Sequence, residues 1–253
     1  MGALHDGHLS LVRRARMENE IIIASIFINP IQFGSSEDLE KYPRDVEGDI
    51  KKMREHDVDI LFLPDSSHMY PGDFSTFVHV DMISGKLCGA FRPGHFKGVS
   101  TIVAKLLNIV SPTRIYFGQK DFQQVVVIKR MAKDLNFDAE VVACPTIREQ
   151  DGLAMSSRNL HLSGEQRKAA PAIYRSLSAA ADVVRSGAGV PREIRGLMRG
   201  ILSEERLITQ IDYASLYDPE ALDEVDEIKG DVLLAVAVRL GDIRLIDNVL
   251  VNA

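Results

Sequence analysis

Cysteine is scarce, with only Cys88 and Cys144 in 253 residues. Two thiols cannot build a disulfide framework in a chain of this size, and neither has a partner at metal spacing. Both read as small core residues of a protein kept in a reducing cytoplasm. Long apolar runs are missing too: nothing approaches the ~18 uninterrupted residues of a membrane helix, and the N-terminus lacks the basic start and apolar core of a signal peptide. A membrane partner is therefore not expected, and the expected location is cytoplasmic. Nor do basic residues dominate, since 30 Lys and Arg stand against 36 Asp and Glu for a formal charge of -6. That balance argues against a nucleic-acid partner and leaves room for a small anionic ligand in a local basic pocket. There is no internal repeat, and no low-complexity tract beyond the alanine-rich "RKAAPAIYRSLSAAADVVRSG".

What is present is an ordinary globular composition, 45% hydrophobic and 26% charged, able to bury a real core. Residues 9–17 carry apolar side chains at helical spacing, and "EIIIASIFI" follows as a nearly unbroken apolar run. A continuous β-branched run suits a strand covered on both faces of a parallel sheet. The beat repeats in "RDVEGDIKKMREHD" and "DILFLP", in "GVSTIVAKLLNIV" and "RIYFG", and in "DFQQVVVIKRMAKDL" and "AEVVAC". This predicts an α/β fold with a Rossmann-like, doubly wound parallel sheet over residues 1–147. Past Ile147 comes a long polar loop, then the alanine-rich helix, a helix near Pro191–Glu205, and strands at "QIDYASLY", "DVLLAVAVRL" and "DIRLIDNVLV". Residues 148–253 are thus expected to form a smaller α+β domain.

Four motifs could carry chemistry. In "HDGH", Gly7 lets the backbone approach a ligand, and a helix starting near His8 offers unpaired N–H groups to an anion. His5 and His8 could donate to phosphate oxygens; a plain turn is the alternative, and a metal pair lacks a third ligand. "DGLAMSSRN" brings Ser156, Ser157 and Arg158 together, donors suited to a triphosphate, against the alternative of a surface turn capping the next helix. "YFGQKDFQQ" sets Gly118, Lys120 and Asp121 at the carboxyl end of a strand, where α/β proteins bind ligands, with Gln124 facing the same way. "SIFINPIQF" ends a strand at Asn29, and Pro30 leaves Gln32 free to reach a ligand. All four lie at ends of elements expected to converge on one crevice.

HDGH with a distant MSSR resembles the motif pair of the HxGH nucleotidyltransferase superfamily. More closely, "MGALHDGH", "SIFINPIQF", "YPR", "RPGHFKGV", "FGQKDFQQ" and "IREQDGLAMSSRN" resemble the pantoate-β-alanine ligase family along the whole chain. The resemblance implies ATP-dependent condensation of pantoate with β-alanine through pantoyl adenylate, with Mg2+, in a homodimer. It also implies site residues. Met1, Gly2, Ala3, Leu4, His5, Asp6, Gly7 and His8 would contact ATP, with His8 as proton donor. Gly118, Gln119, Lys120 and Asp121 would hold ribose and phosphate, and Lys120 would act in catalysis with the two histidines. Ile147 would lie near adenine, and Met155, Ser156, Ser157 and Arg158 would cover the triphosphate, with the smaller domain as a lid. Gln32 and Gln124 would bind pantoate, and Gln32 also β-alanine. Asp49 reads as an outer-shell magnesium ligand or a solvated helix carboxylate, and Arg92 and His95 as site-lining residues or loop packing. His56, His68, His79 and His161 read as solvated or structural.

In that family the segment matching Met1-Gly2 follows a strand ending in Val-Pro-Thr or similar, preceded by a helix. The strand would lie between those at "IIIASIFI" and "RIYFG", so the sheet is expected to open at the switch point where ATP binds. The expectation is a natural protein longer than this chain, or a short form with impaired folding and activity. Alternatives to the ligase are an inactive nucleotide-binding homologue and another HxGH nucleotidyltransferase.

Overall fold

Short strands separated by one or more helices make up the first half of the chain, in keeping with its apolar spacing. The computed structural model describes residues 2–33, 39, 42–187 and 189–252. It divides into two compact units, one of residues 1–119 and 123–145 and the other of residues 120–122 and 146–253. The division after Pro145 falls beside the boundary expected near Ile147, while Lys120–Phe122 group with the second unit.

The first half runs α1 (Asp6–Glu18), β1 (Ile23–Ser25), α2 (Val46–Glu55), β2 (Ile60–Phe62), α3 (Ser66–Met69), α4 (Leu87–Phe91), α5 (His95–Val110), β3 (Arg114–Gly118), α6 (Phe122–Asp134) and β4 (Glu140–Cys144). β1 pairs with β2 in parallel, Ile23 opposite Ile60, and β3 pairs with β4 in parallel, Arg114 opposite Glu140. The two pairs are separate ladders.

The run at "EIIIASIFI" departs from the expectation of a strand buried on both faces. Burial alternates instead: Ile22, Ala24 and Ile26 are buried, whereas Ile21 and Ile23 are exposed. The covered side joins Leu4, α1 (Leu9, Val12) and α2 (Met53) in one cluster. Apolar composition records that a strand can be buried, and the number of layers packed on it decides how many faces are.

The second unit contains α7 (Gly164–Ala169), α8 (Ala172–Arg185), α9 (Pro191–Glu204), β5 (Ile208–Tyr217), β6 (Val232–Leu240) and β7 (Ile243–Val251). β5, β6 and β7 form an antiparallel meander in that order. Leu240 opposite Ile243 leaves a two-residue turn, with Gly241 at φ 61° as such turns favour. Pro191 opens α9 where its missing N–H costs nothing. Leu177 and Ala180 of α8 and Ile194, Met198 and Leu202 of α9 pack with Leu234, Val236 and Val238 of β6.

The long polar loop expected after Ile147 is in fact folded. Met155 N–H donates to Ile147 O at 2.9 Å, Glu149 N–H to Leu153 O at 2.8 Å, and Arg148 bridges Ala154, making a hairpin. Gly152, at φ 89°, accommodates the turn. A 3-10 turn follows at Ser157–His161. Arg167 ties the hairpin down through Glu149 and Asp151, each at 2.5 Å. Hydrophobic periodicity is blind to pairing held by ions distant in sequence.

Candidate active site

The HDGH stretch forms the start of α1 as a capping box made of histidines. His5 is the N-cap: Gly7 N–H donates to its Nδ1 at 3.2 Å, and His5 N–H donates to His8 Nδ1 at 3.4 Å. A ring nitrogen that accepts a backbone N–H carries no proton, so in both imidazoles the ring proton sits on Nε2. The rings lie 4.0 Å apart between centroids. The pair therefore brings two Nε2–H donors to the positive end of a thirteen-residue helix.

The segment before His5 is braced by α2. Asp49 is 1% exposed; its Oδ2 accepts Ala3 N–H at 2.8 Å and its Oδ1 accepts Leu4 N–H at 2.7 Å. One helical turn on, Lys52 Nζ donates to Leu4 O at 2.7 Å. Ala3 stands at φ 50°, a left-handed backbone that costs on the order of 1 kcal/mol or more outside glycine. The Asp49 carboxylate holds it there. Leu4 buries its side chain in the core and gives both backbone groups to α2, so its place is that of an anchor. This corrects the reading of Asp49 as a solvated helix carboxylate. The carboxylate is not solvated, and it does not fit a magnesium ligand, because both oxygens hold backbone donors and the Lys52 ammonium stands 4.0 Å away. Among the described residues, no cluster of three or more His, Cys, Asp or Glu could hold a metal.

Gln32 ends a 3-10 turn, Pro30–Gln32, capped by Asn29 and packed against α5. Gly98 of α5 makes this possible, since a Cβ there would stand 2.6 Å from Gln32 N. Asn29 is 2% exposed. Its Nδ2 donates to Gly98 O at 3.0 Å and Gln32 Oε1 at 3.3 Å, and its Oδ1 accepts from the Tyr70 hydroxyl at 2.8 Å. Burial pushes the Tyr70 phenol up to about 12, so it stays a proton donor at any working pH. His95 Nδ1 faces Gln32 O at 2.9 Å and its Nε2 accepts from Arg92 at 3.1 Å. Those partners give His95 the opposite tautomer from His5 and His8, and place it and Arg92 behind the Gln32 turn.

At the end of β3, Gly118 and Gln119 lead into Lys120 and Asp121 before α6. Gln124 is half-buried near the start of α6. Its neighbour Gln123 is structural: it accepts Cys88 N–H at 2.9 Å and donates to Ile83 O and Lys86 O at 2.9 and 2.7 Å.

Within the second unit, Asn248 of β7 donates to Lys120 O at 2.9 Å, which fixes the lysine backbone on the sheet. Ile147 and Met155 face each other across the hairpin, and Ser156 Oγ accepts Arg158 N–H at 3.3 Å to start the 3-10 turn. Ser157 is buried. Arg148 holds the hairpin to β7 by a bidentate pair with Asp247 at 2.5 and 3.0 Å, its guanidinium 4.0 Å over the Tyr174 ring. Burial pushes the Asp247 carboxyl up and Arg148 opposes it.

Of the remaining histidines, His56 is half-buried with Nδ1 2.9 Å from Lys52 O. His68 and His79 are exposed beside Asp65 and Asp81, and His161 is exposed. Met1 lies outside the described residues. Sequence reasoning missed the braces at Lys52, Tyr70, Arg148, Asp247 and Asn248. Only the Asp49 and Lys52 spacing, three apart on one helix face, left a local trace.

Comparison with known proteins sets these residues in a lineage. The family model described as pantoate-beta-alanine ligase matches residues 1–250. Pantothenate synthetase of Thermodesulfovibrio yellowstonii is 56% identical over 252 residues, which cover 100% of this chain and 90% of that protein. The Caldicellulosiruptor saccharolyticus enzyme of the same name is 50% identical, over 100% of this chain and 89% of that protein. Among solved structures, pantothenate synthetase from Thermus thermophilus superposes with a TM-score of 0.96 at 46% identity, covering 98% of this chain and 90% of that one. Pantoate-beta-alanine ligase from Francisella tularensis, complexed with beta-gamma ATP and beta-alanine, gives 0.78 at 33% identity, covering 99% and 87%.

Proposed function

This chain belongs to the pantoate-β-alanine ligase family, and from that premise we propose how its residues carry the ligation. The reaction is ATP-dependent and makes pantothenate. In the first half-reaction an oxygen of the pantoate carboxylate attacks the α-phosphorus of ATP; the bond to pyrophosphate breaks and pantoyl adenylate forms. The β-alanine amine then attacks the acyl carbon, the carbon–oxygen bond to AMP breaks, and the amine sheds a proton as the amide forms.

The observation that carries the assignment is the histidine capping box braced by Asp49 and Lys52. Two Nε2–H donors on a fixed helix start suit oxygens whose charge grows as the α-phosphorus is attacked, and fixed donors of this kind lower the barrier without reorganising. His5 and His8 bind the phosphates, and His8 is the proton donor. Lys120 neutralises phosphate charge. Gly118, Gln119 and Asp121 hold ribose and phosphate, Ile147 lies by adenine, and Met155, Ser156, Ser157 and Arg158 serve the triphosphate. Met1 to Gly7 complete the ATP-binding segment, with Leu4 as its anchor on α2. Gln32 and Gln124 bind pantoate, and Gln32 also meets β-alanine. The nucleotide-bearing and β-alanine-bearing Francisella tularensis relative supports this set of ligands.

Magnesium enters on the phosphates as MgATP, the substrate, since Asp49 does not fit it. A homodimer in the cytoplasm completes the proposal, on the strength of the family resemblance.

Pantoate labelled with 18O in its carboxylate tests the chemistry. The acyl-adenylate route delivers one labelled oxygen to AMP. Label in inorganic phosphate, with ADP as the nucleotide product, would rule that route out.

A further inference from the structure

The amide of Asn29 has no freedom of orientation. Its Oδ1 lies toward Ile31 N–H at 3.4 Å and its Nδ2 toward Gly98 O at 3.0 Å; a main-chain donor and a main-chain acceptor thus dictate which end is which. Tyr70, whose hydroxyl donates to the same Oδ1 at 2.8 Å, reinforces that choice. Its ring is held edge-on to Phe74 at 5.0 Å, with the Lys105 ammonium over it at 5.9 Å. The second hydrogen of Asn29 Nδ2 points at Gln32, and Gln32 answers with Oε1 at 3.3 Å. Gln32 therefore turns its acceptor inward, and its Nε2 is the end directed away from Asn29.

We propose that Tyr70 and Asn29 are positioning residues that set the Gln32 amide as a donor toward substrate, selecting a carboxylate or hydroxyl oxygen over a cationic group. This rests on the reading of Gln32 as a pantoate ligand. A glutamine free to flip would present donor and acceptor alike; one locked by a buried chain meets pantoate oxygens without that ordering cost. Tyr70 does not itself meet the substrate. It acts through Asn29, and its loss falls on pantoate recognition rather than on the nucleotide.

The test is steady-state kinetics on Tyr70→Phe, Asn29→Asp and Gln32→Ala, with thermal melting of each. Tyr70→Phe keeps the ring packing and removes one hydrogen bond. Its KM for pantoate should rise about fivefold, the net worth of one such bond, with kcat at saturating pantoate and KM for ATP unchanged. Asn29→Asp sets an oxygen against Gly98 O and Gln32 Oε1 and should raise the same KM further. An unchanged pantoate KM in Tyr70→Phe, while Gln32→Ala raises it, overturns the relay and leaves the role of Gln32 standing. An unchanged KM in Gln32→Ala overturns both. Equal rises in the pantoate and ATP constants of Tyr70→Phe, with a lowered melting temperature, would reduce the chain to a purely structural one and also overturn it.

Discussion

A buried carboxylate that accepts two adjacent backbone N–H groups acts through charge-assisted hydrogen bonds, each worth about 1.5–3 kcal/mol. Asp49→Asn puts an N–H donor against one of them. It should lower stability by about 2 kcal/mol and adenylate formation about tenfold or more, because the histidines lose their fixed base. Added magnesium should not restore the rate; rescue by magnesium would show that Asp49 serves a metal. His8→Ala and Lys120→Ala should each slow pantoate-dependent ATP–pyrophosphate exchange by roughly a hundredfold or more, the loss typical of a removed electrostatic donor. Near-normal exchange in either would defeat its assignment. The histidines were legible because four adjacent residues carry them. Asp49 was not, since the groups it holds lie 45 and 46 residues away.

At the scale of elements, α5 and the Gln32 turn can approach only across a glycine. Gly98→Ala would place a methyl 2.7 Å from Gln32 Cα, against backbone that cannot swing aside. The expected cost is about 1–3 kcal/mol in denaturant unfolding, with a raised KM for pantoate. Wild-type values of both would mean the contact is loose. The start of the β1–β2 ladder is pH-sensitive through Asp59. Ile22 N–H first, and Arg16 second, hold its carboxyl below the usual range. A depressed folded value gives stability that is present above the unfolded pKa and lost as pH falls through the folded one. Unfolding midpoints should therefore drop below about pH 4, less steeply in Asp59→Asn. An identical acid limb in the variant would contradict this. α8, α9 and β5 to β7 were legible from their apolar spacing. The 147–155 hairpin was not, because Arg148 and Arg167 hold it through partners outside the local pattern.

For the whole molecule, alternation of helix and strand pointed to the α/β class, and the relatives share it. The grouping of Lys120–Phe122 with the second unit was hidden, because it depends on an Asn248 amide 128 residues from the Lys120 carbonyl. That bond ties a proposed catalytic lysine to the last strand of the chain. This chain joins pantoate to β-alanine. The direct measurement is AMP release from ATP by the purified chain, with each substrate present or withheld. Sustained release is expected only when pantoate and β-alanine are both supplied, with one pantothenate formed per AMP. ATP binding without AMP release under any of these conditions would contradict it.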